Sequence, residues 1–145
     1  MAVTLRNVTM EDAAYLYEWR NDPRVRENCF DTRPFSFESH IQWLESILAD
    51  TKRYLFLGID DGVPVGSIRA DFGENECELT WAIAPSQWGK GYGNELVRLL
   101  VLTLECPLFV SRTKPANIAS ERICVAAGFQ EISRTERETL WHLRR

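Results

Sequence analysis

Ala84-Pro85-Ser86-Gln87-Trp88-Gly89-Lys90-Gly91-Tyr92-Gly93 is the stretch on which the fold turns. Before it, Glu76 to Ala84 alternates and predicts a strand. After it, the chain to about Glu105 is strongly apolar at helical spacing and predicts a helix. Three glycines between a strand and a helix let the backbone turn sharply and bring its N–H groups close to a ligand. The helix start adds unpaired donors and the positive end of its dipole, so the place suits a phosphate or pyrophosphate. The segment lacks the G-x-x-x-x-G-K-[ST] of a P-loop. It is not the dinucleotide fingerprint either, because the third glycine of G-x-G-x-x-G falls on Asn94. Taken alone it is equally a tight strand-to-helix turn.

Upstream, Arg53 to Ile59 and Val63 to Phe72 read as strands joined at Asp60-Asp61-Gly62, a hairpin signal. Gly73-Glu74-Asn75 turns the chain into Glu76 to Ala84. Matching the apolar faces across that turn sets Asp71 opposite Glu78 and Arg69 opposite Thr80. The result is one polar face of Arg69, Asp71, Glu78 and Thr80. Nearer the start, Val3 to Val8 is a strand. Thr9 caps a helix, with Asp12 at the capping-box position. That helix stops near Asn21-Asp22-Pro23. Arg24 to Phe30 is a candidate short helix, and Ser36 caps another that places Ile41, Leu44, Ile47 and Leu48 on one face. Downstream, Leu108 to Thr113 is a strand, Ala116 to Ala127 a helix closed by Gly128, and Phe129 to Leu143 two strands. An antiparallel meander followed by β–α–β predicts an α/β fold: a mixed sheet with helices on both faces.

The chain has 145 residues, which fits a single domain over 1–145. It is 45% hydrophobic and 26% charged, as an ordinary globular protein is. A net charge of −4 argues against a nucleic-acid partner gripped through its phosphates. No apolar run approaches the roughly 20 residues of a membrane span. The four cysteines are scattered without C-x-x-C, and nothing reads as a signal peptide. The expectation is reduced thiols in a cytoplasmic protein. His40 and His142 lie far apart, so no metal site is expected.

The segment Ala84–Gly93 resembles the acetyl-CoA-binding loop of GCN5-related N-acetyltransferases (GNAT). A second match follows in Asn117, Ser120 and Gly128-Phe129, similar to that family's N-x-x-S/A … G-F helix. The order of elements agrees, so the resemblance covers nearly the whole chain. It implies the GNAT fold, acetyl-CoA as cofactor, and transfer of acetyl to an amine. It also implies that backbone groups of Gly89, Lys90, Gly91, Tyr92, Gly93 and Asn94 hold the pyrophosphate. The edge of Thr80 to Ala84, Ile83 and Ala84 included, would pair with the pantetheine arm where this strand splays from Leu108–Thr113. Asn117 and Ser120 would contact the cofactor from the other side. Trp88 stands where the family usually has Gln or Arg.

Two residues are candidates for proton transfer. Glu78 aligns with the family's glutamate base, acting directly or through water; Asp71 is a weaker candidate, and an ordinary cross-strand charge network is the alternative. Cys124 occupies the position of the family's tyrosine acid, although a buried packing role suits a cysteine better. Tyr92 and Ser120 are weaker substitutes.

For the acceptor, Trp19 to Arg26 and Ser39 to Leu44 resemble the branch that acetylates nucleotide-linked 4-amino sugars. They also resemble the branch that acetylates ribosomal protein N-termini. Arg24, Arg26 and Arg33 are candidates to hold a diphosphate, and Trp19 or Phe30 to stack on a base or sugar. Arg20, Asn21, His40 and Arg69 complete the expected acceptor contacts. The expected partner is a small-molecule amine, such as a sugar nucleotide, for a monomer or homodimer. The rivals are a protein N-terminus, a small amine such as a drug or polyamine, and an acyl-CoA sensor without catalysis.

Overall fold

The structure, a computed structural model, describes residues 2–145. Its strands are β1 (Val3–Asn7), β2 (Arg53–Asp60), β3 (Val63–Phe72), β4 (Cys77–Ile83), β5 (Leu108–Thr113), β6 (Gln130–Arg134) and β7 (Thr139–Arg144). Its helices are α1 (Ala13–Asn21), α2 (Pro23–Arg26), α3 (Phe37–Ala49), α4 (Tyr92–Thr103) and α5 (Ile118–Ala127). Local chemistry explains most boundaries. The Thr9/Asp12 capping box forms, although its first turn is a 3-10 turn before α1 begins. Ser36 caps α3 by accepting from the Ser39 N–H at 3.1 Å. Asp61 and Gly62 both take positive φ, as a two-residue hairpin turn demands. The expected helix over Arg24 to Phe30 shrinks to the four residues of α2, which Asp22 caps and Pro23 starts.

One seven-stranded sheet runs in the order β1-β2-β3-β4-β5-β7-β6. Every neighbouring pair is antiparallel except β4–β5. The β3–β4 register sets Asp71 opposite Glu78 and Arg69 opposite Thr80, as the alternation predicts. Leu55 and Leu57 lie opposite Arg69 and Ser67, so they share that face. They pack there against Leu16 and Trp19 of α1 and Leu44 and Ile47 of α3. The other face carries Ile68, Ala70 and Leu79 against Leu96, Val97 and Leu100 of α4 and Cys124 of α5. Two cores thus cover the sheet from both sides. No helix among the described residues is long and apolar enough to cross a membrane.

The feature that positions the site is a fork. β4 and β5 pair only at Cys77–Phe109 and Glu78–Val110. Beyond that point β5 stays paired with β7 along its length, while β4 continues to Ile83 with its second edge open.

Candidate active site

The open edge of β4 is one wall of the site. Ala84 N–H donates to the Val65 carbonyl at 2.9 Å. By alternation, the backbone groups of Thr80, Ala82 and Ala84 face β3, and those of Trp81 and Ile83 face the fork. This corrects the expectation for Ala84, whose carbonyl also accepts from Gln87 N–H at 2.8 Å. Ile83 keeps its place on the edge. After a 3-10 turn at Pro85–Gln87, Gly89 and Gly91 take φ of 78° and 84°, a conformation that strongly favours glycine. The N–H groups of Tyr92, Gly93 and Asn94 open α4 without intrahelical partners. A Cβ on Gly93 would run into Cδ1 of Ile123, so the glycine is what lets α4 approach α5. Lys90 Nζ is held by Gln87 Oε1 at 3.0 Å, and Trp88 Nε1 donates to the Ile83 carbonyl at 2.9 Å.

The opposite wall comes from α5. Asn117 is its N-cap: the side chain accepts from Ser120 N–H at 3.2 Å and donates to Ser120 Oγ at 3.0 Å. One turn on, Glu121 anchors the helix to the sheet by accepting from Thr113 at 3.2 Å, Thr139 at 2.8 Å and Arg134 at 2.9 Å. Burial alone would raise the Glu121 carboxyl, but those bonds outweigh it and hold the group low. An open strand edge, a glycine turn at a helix start and a capped helix facing it fit a CoA-shaped ligand.

A cavity of about 510 Å³ opens from the fork toward α1 and α3. Trp19, Arg20, Phe30, His40 and Arg69 line it, together with Asn117 and Ser120. Asn21 and Arg24 do not. Asn21 is a scaffold residue, accepting from Phe35 N–H at 3.3 Å, and Arg24 is paired with Asp22 at 2.9 Å. Arg26 donates to the Asn21 and Thr32 carbonyls, and Arg33 pairs with Asp31 at 3.0 Å. None of these three arginines is a cavity cation; that position falls to Arg20, Arg69 and Arg112.

His40 is 1% exposed, and its ring lies 5.4 Å from that of Trp43 and 5.5 Å from that of Tyr17. Neither ring nitrogen has a hydrogen-bond partner. Burial pushes His40 down, opposed by the nearby Ala13 backbone and aided by Arg20, which makes it a neutral imidazole near pH 7. Arg20 donates from Nη2 to the Asp31 carbonyl at 3.1 Å and stacks 5.0 Å from the Phe35 ring, while its buried Nη1 is unpartnered. Arg69 reaches Asp71 at 3.1 Å and lies 5.9 Å from the Trp43 ring. Sequence reading missed Phe35, Trp43, Trp81 and Arg112 as cavity walls. The alternation of Trp81 with Leu79 marked it as core; only the fork turns it toward the cavity.

The candidates for proton transfer separate sharply. Glu78 sits at the last paired rung before the fork, and its carboxylate accepts from Arg112 Nη1 at 2.7 Å. Asp71 is held by Arg69 and Arg53. Cys124 is fully buried outside the cavity lining, and burial pushes its thiol up to about 12. Such a thiol is a poor acid toward a leaving thiolate of ordinary basicity. Tyr92 gives its hydroxyl to Asp60 at 2.6 Å, and that bond raises it.

Comparison with known proteins agrees with this geometry. The family model described as an acetyltransferase (GNAT) domain matches residues 2–130. Aminoglycoside N(6')-acetyltransferases type 1 of Klebsiella pneumoniae and Serratia marcescens are each 31% identical to it, over 89% of this chain and 74% of theirs. The crystal structure of aminoglycoside acetyltransferase AAC(6')-Ib with coenzyme A superposes with a TM-score of 0.84 at 26% identity, covering 99% of this chain and 95% of that one. Spermidine N-acetyltransferase of Vibrio cholerae, solved with CoA and spermine, shares the fold at a TM-score of 0.88 and 17% identity, covering 98% and 95%. These relatives are aminoglycoside and spermidine acetyltransferases, outside the amino-sugar-nucleotide branch. The chain belongs to the GNAT family and is an N-acetyltransferase that uses acetyl-CoA as its cosubstrate.

Proposed function

We propose that the acceptor is a primary amine carried on an anionic molecule, and that a nucleotide-linked 4-amino sugar is the class that fits. The observation that carries this is the charge of the cavity. Among the described residues Arg20, Arg69 and Arg112 line it; Arg69 is paired with Asp71 and Arg112 with Glu78 and Glu138, so Arg20 is the lining cation without a carboxylate partner, and the one lining carboxylate, Asp31, is held by Arg33. Polyamines and aminoglycosides are polycations and gain from unpaired carboxylates in a site; a site whose unpaired charge is Arg20 favours an anionic group instead. The unpartnered Nη1 of Arg20 suits a phosphate oxygen, and Trp19 and Phe30 offer faces for a base or sugar ring.

Acetyl-CoA supplies the activated acetyl group as a thioester. The backbone groups of Gly89 to Asn94 hold its pyrophosphate, and the Trp81 and Ile83 edge aligns its arm in the fork. Asn117 and Ser120 close the other side. The acceptor amine attacks directly, since His40, the histidine lining the cavity, hydrogen-bonds no hydroxyl or thiol among the described residues. Glu78 takes the amine's proton through water, because it stands at the apex of the fork outside the cavity lining. The leaving thiolate takes its proton from solvent. The free cysteines fit a reducing cytoplasm.

The second reading, favoured by the 31% identity to aminoglycoside acetyltransferases, is a cationic acceptor. Thiol release from acetyl-CoA separates the two. Turnover with UDP-linked 4-amino sugars, at least tenfold above spermidine and kanamycin in kcat/KM, is expected. The reverse order overturns the anionic reading and leaves the enzyme class intact.

A further inference from the structure

Trp88 of the glycine loop contacts both the end of β4 and α2. Its indole Nε1 donates to the Ile83 carbonyl at 2.9 Å, tying the glycine loop to the end of β4. Its ring face receives the Arg24 guanidinium at 5.6 Å from the centroid. Arg24 is fixed in turn by two bonds to Asp22, at 3.1 and 2.9 Å, so it approaches the ring as a braced group. The chain that Arg24 begins runs on through Asn28, Cys29 and Phe30, which line the acceptor cavity. On the other lip of the fork, Lys114 Nζ donates to the Glu27 carbonyl at 2.9 Å. The α2 segment therefore bridges both lips, and Trp88 is its contact on the cofactor side.

Trp88 is 43% exposed, so burial alone does not fix its orientation. The hydrogen bond and the cation above the ring do. Both act on Trp88 immediately before Gly89, whose positive φ starts the turn. We propose that Trp88 is a positioning residue for the cofactor: its indole N–H fixes the glycine loop to Ile83, and Arg24 on its face braces that arrangement from the acceptor side. A carbonyl has two acceptor positions, so the bond leaves Ile83 able to serve the fork as well. Of the two contacts, the N–H donor orients the loop, and the cation–π contact holds the ring that carries it.

The inference rests on reading Gly89–Asn94 as the pyrophosphate cradle, and the experiment separates the two. CoA binding is measured by calorimetry, without turnover, for wild type, Trp88→Phe, Trp88→Gln, Arg24→Gln and Gly91→Val. Trp88→Phe keeps a ring for Arg24 and loses the donor; its Kd for CoA rises about five- to tenfold, the scale of one hydrogen bond. Trp88→Gln restores a donor and returns the Kd to within about threefold of wild type. Arg24→Gln weakens binding about threefold in wild type and has no effect in the Trp88→Gln background, as coupled neighbours require. Melting temperatures of the Trp88 and Arg24 variants without CoA stay within about 2 °C of wild type, because those side chains are surface-exposed, whereas Gly91→Val melts lower because Gly91 has a φ of 84°. Unchanged or tighter CoA binding by Trp88→Phe, with wild-type melting, overturns the inference. Equal weakening by Trp88→Phe and Trp88→Gln also overturns it, because the donor would then be irrelevant. If Gly91→Val binds CoA like wild type, the cradle reading itself fails.

Discussion

Arg112 of β5 holds Glu78 of β4 at 2.7 Å across the last rung that joins these strands, at the apex of the fork. Glu138 reaches the same arginine at 3.4 Å. The carboxylate is thus oriented by one strand while it belongs to the other. Any separation of the two strands alters its placement.

Glu78→Gln keeps the shape and the Arg112 contact but cannot accept a proton. A fall in kcat of about 100-fold is expected, with the Kd for CoA unchanged, since general bases contribute on that scale. The decline should narrow at high pH, where more of the acceptor amine is already neutral. Steady-state kinetics from neutral to alkaline pH check this. A kcat within twofold of wild type would show that Glu78 only ties the strands together.

Cys124→Ala should leave kcat within about threefold, because the thiol is buried, pushed up to about 12, and outside the cavity lining. The protein should lose about 1 kcal/mol of stability from the small void left between α5 and the sheet. Denaturant melts and turnover at saturating acceptor test both halves. A loss of several hundredfold in a folded variant would restore Cys124 as the acid.

Arg20→Gln removes a cavity cation whose Nη1 has no partner among the described residues. For an anionic amine, KM should rise about tenfold while CoA affinity holds, because charge-assisted bonds lie in that range. The KM of wild type should also climb as salt increases from about 50 to 500 mM. If Arg20→Gln instead lowers KM for spermidine and leaves every anionic amine unused, the cavity serves cations.

Much of this site is legible in the sequence. Strict alternation on both sides of Gly73-Glu74-Asn75 predicts the facing of Arg69 with Thr80 and Asp71 with Glu78, because a one-residue slip would turn Glu78 and Thr80 to the apolar face. The glycine loop and the Ser36 cap were readable for the same reason: each is a local demand on a few residues. What failed were choices made by side-chain conformation and by the packing of distant elements. Arg24 and Arg33 resemble ligand cations until the structure shows Asp22 and Asp31, two residues away, turning back to hold them. The cavity arginines come instead from α1, β3 and β5, a grouping that no local pattern announces. Trp81 alternates with core residues, and only the parting of β4 from β5 opens a cavity beside it.

The entrance to α1 gives a prediction in acid. Asp12, 3% exposed, accepts from Arg6 Nη2 at 2.7 Å and Nη1 at 2.8 Å, and from the Thr9 N–H at 2.9 Å. The Arg6 bonds are the main force that lowers the Asp12 carboxyl, against burial, with Thr9 adding to them. A group lowered in the folded state stabilises the fold fully above its unfolded value, near 3.8 here, and loses that contribution as pH falls through its folded value. Wild type should therefore lose stability as pH drops from about 5 toward 2. Asp12→Asn should be less stable by about 1–2 kcal/mol at neutral pH, because Arg6 and Thr9 lose a charged acceptor. Its stability should fall less across the same acid range, so the two curves converge. Urea melts at a series of pH values measure the convergence. Parallel curves would mean that the Asp12–Arg6 pair contributes nothing to the acid limb.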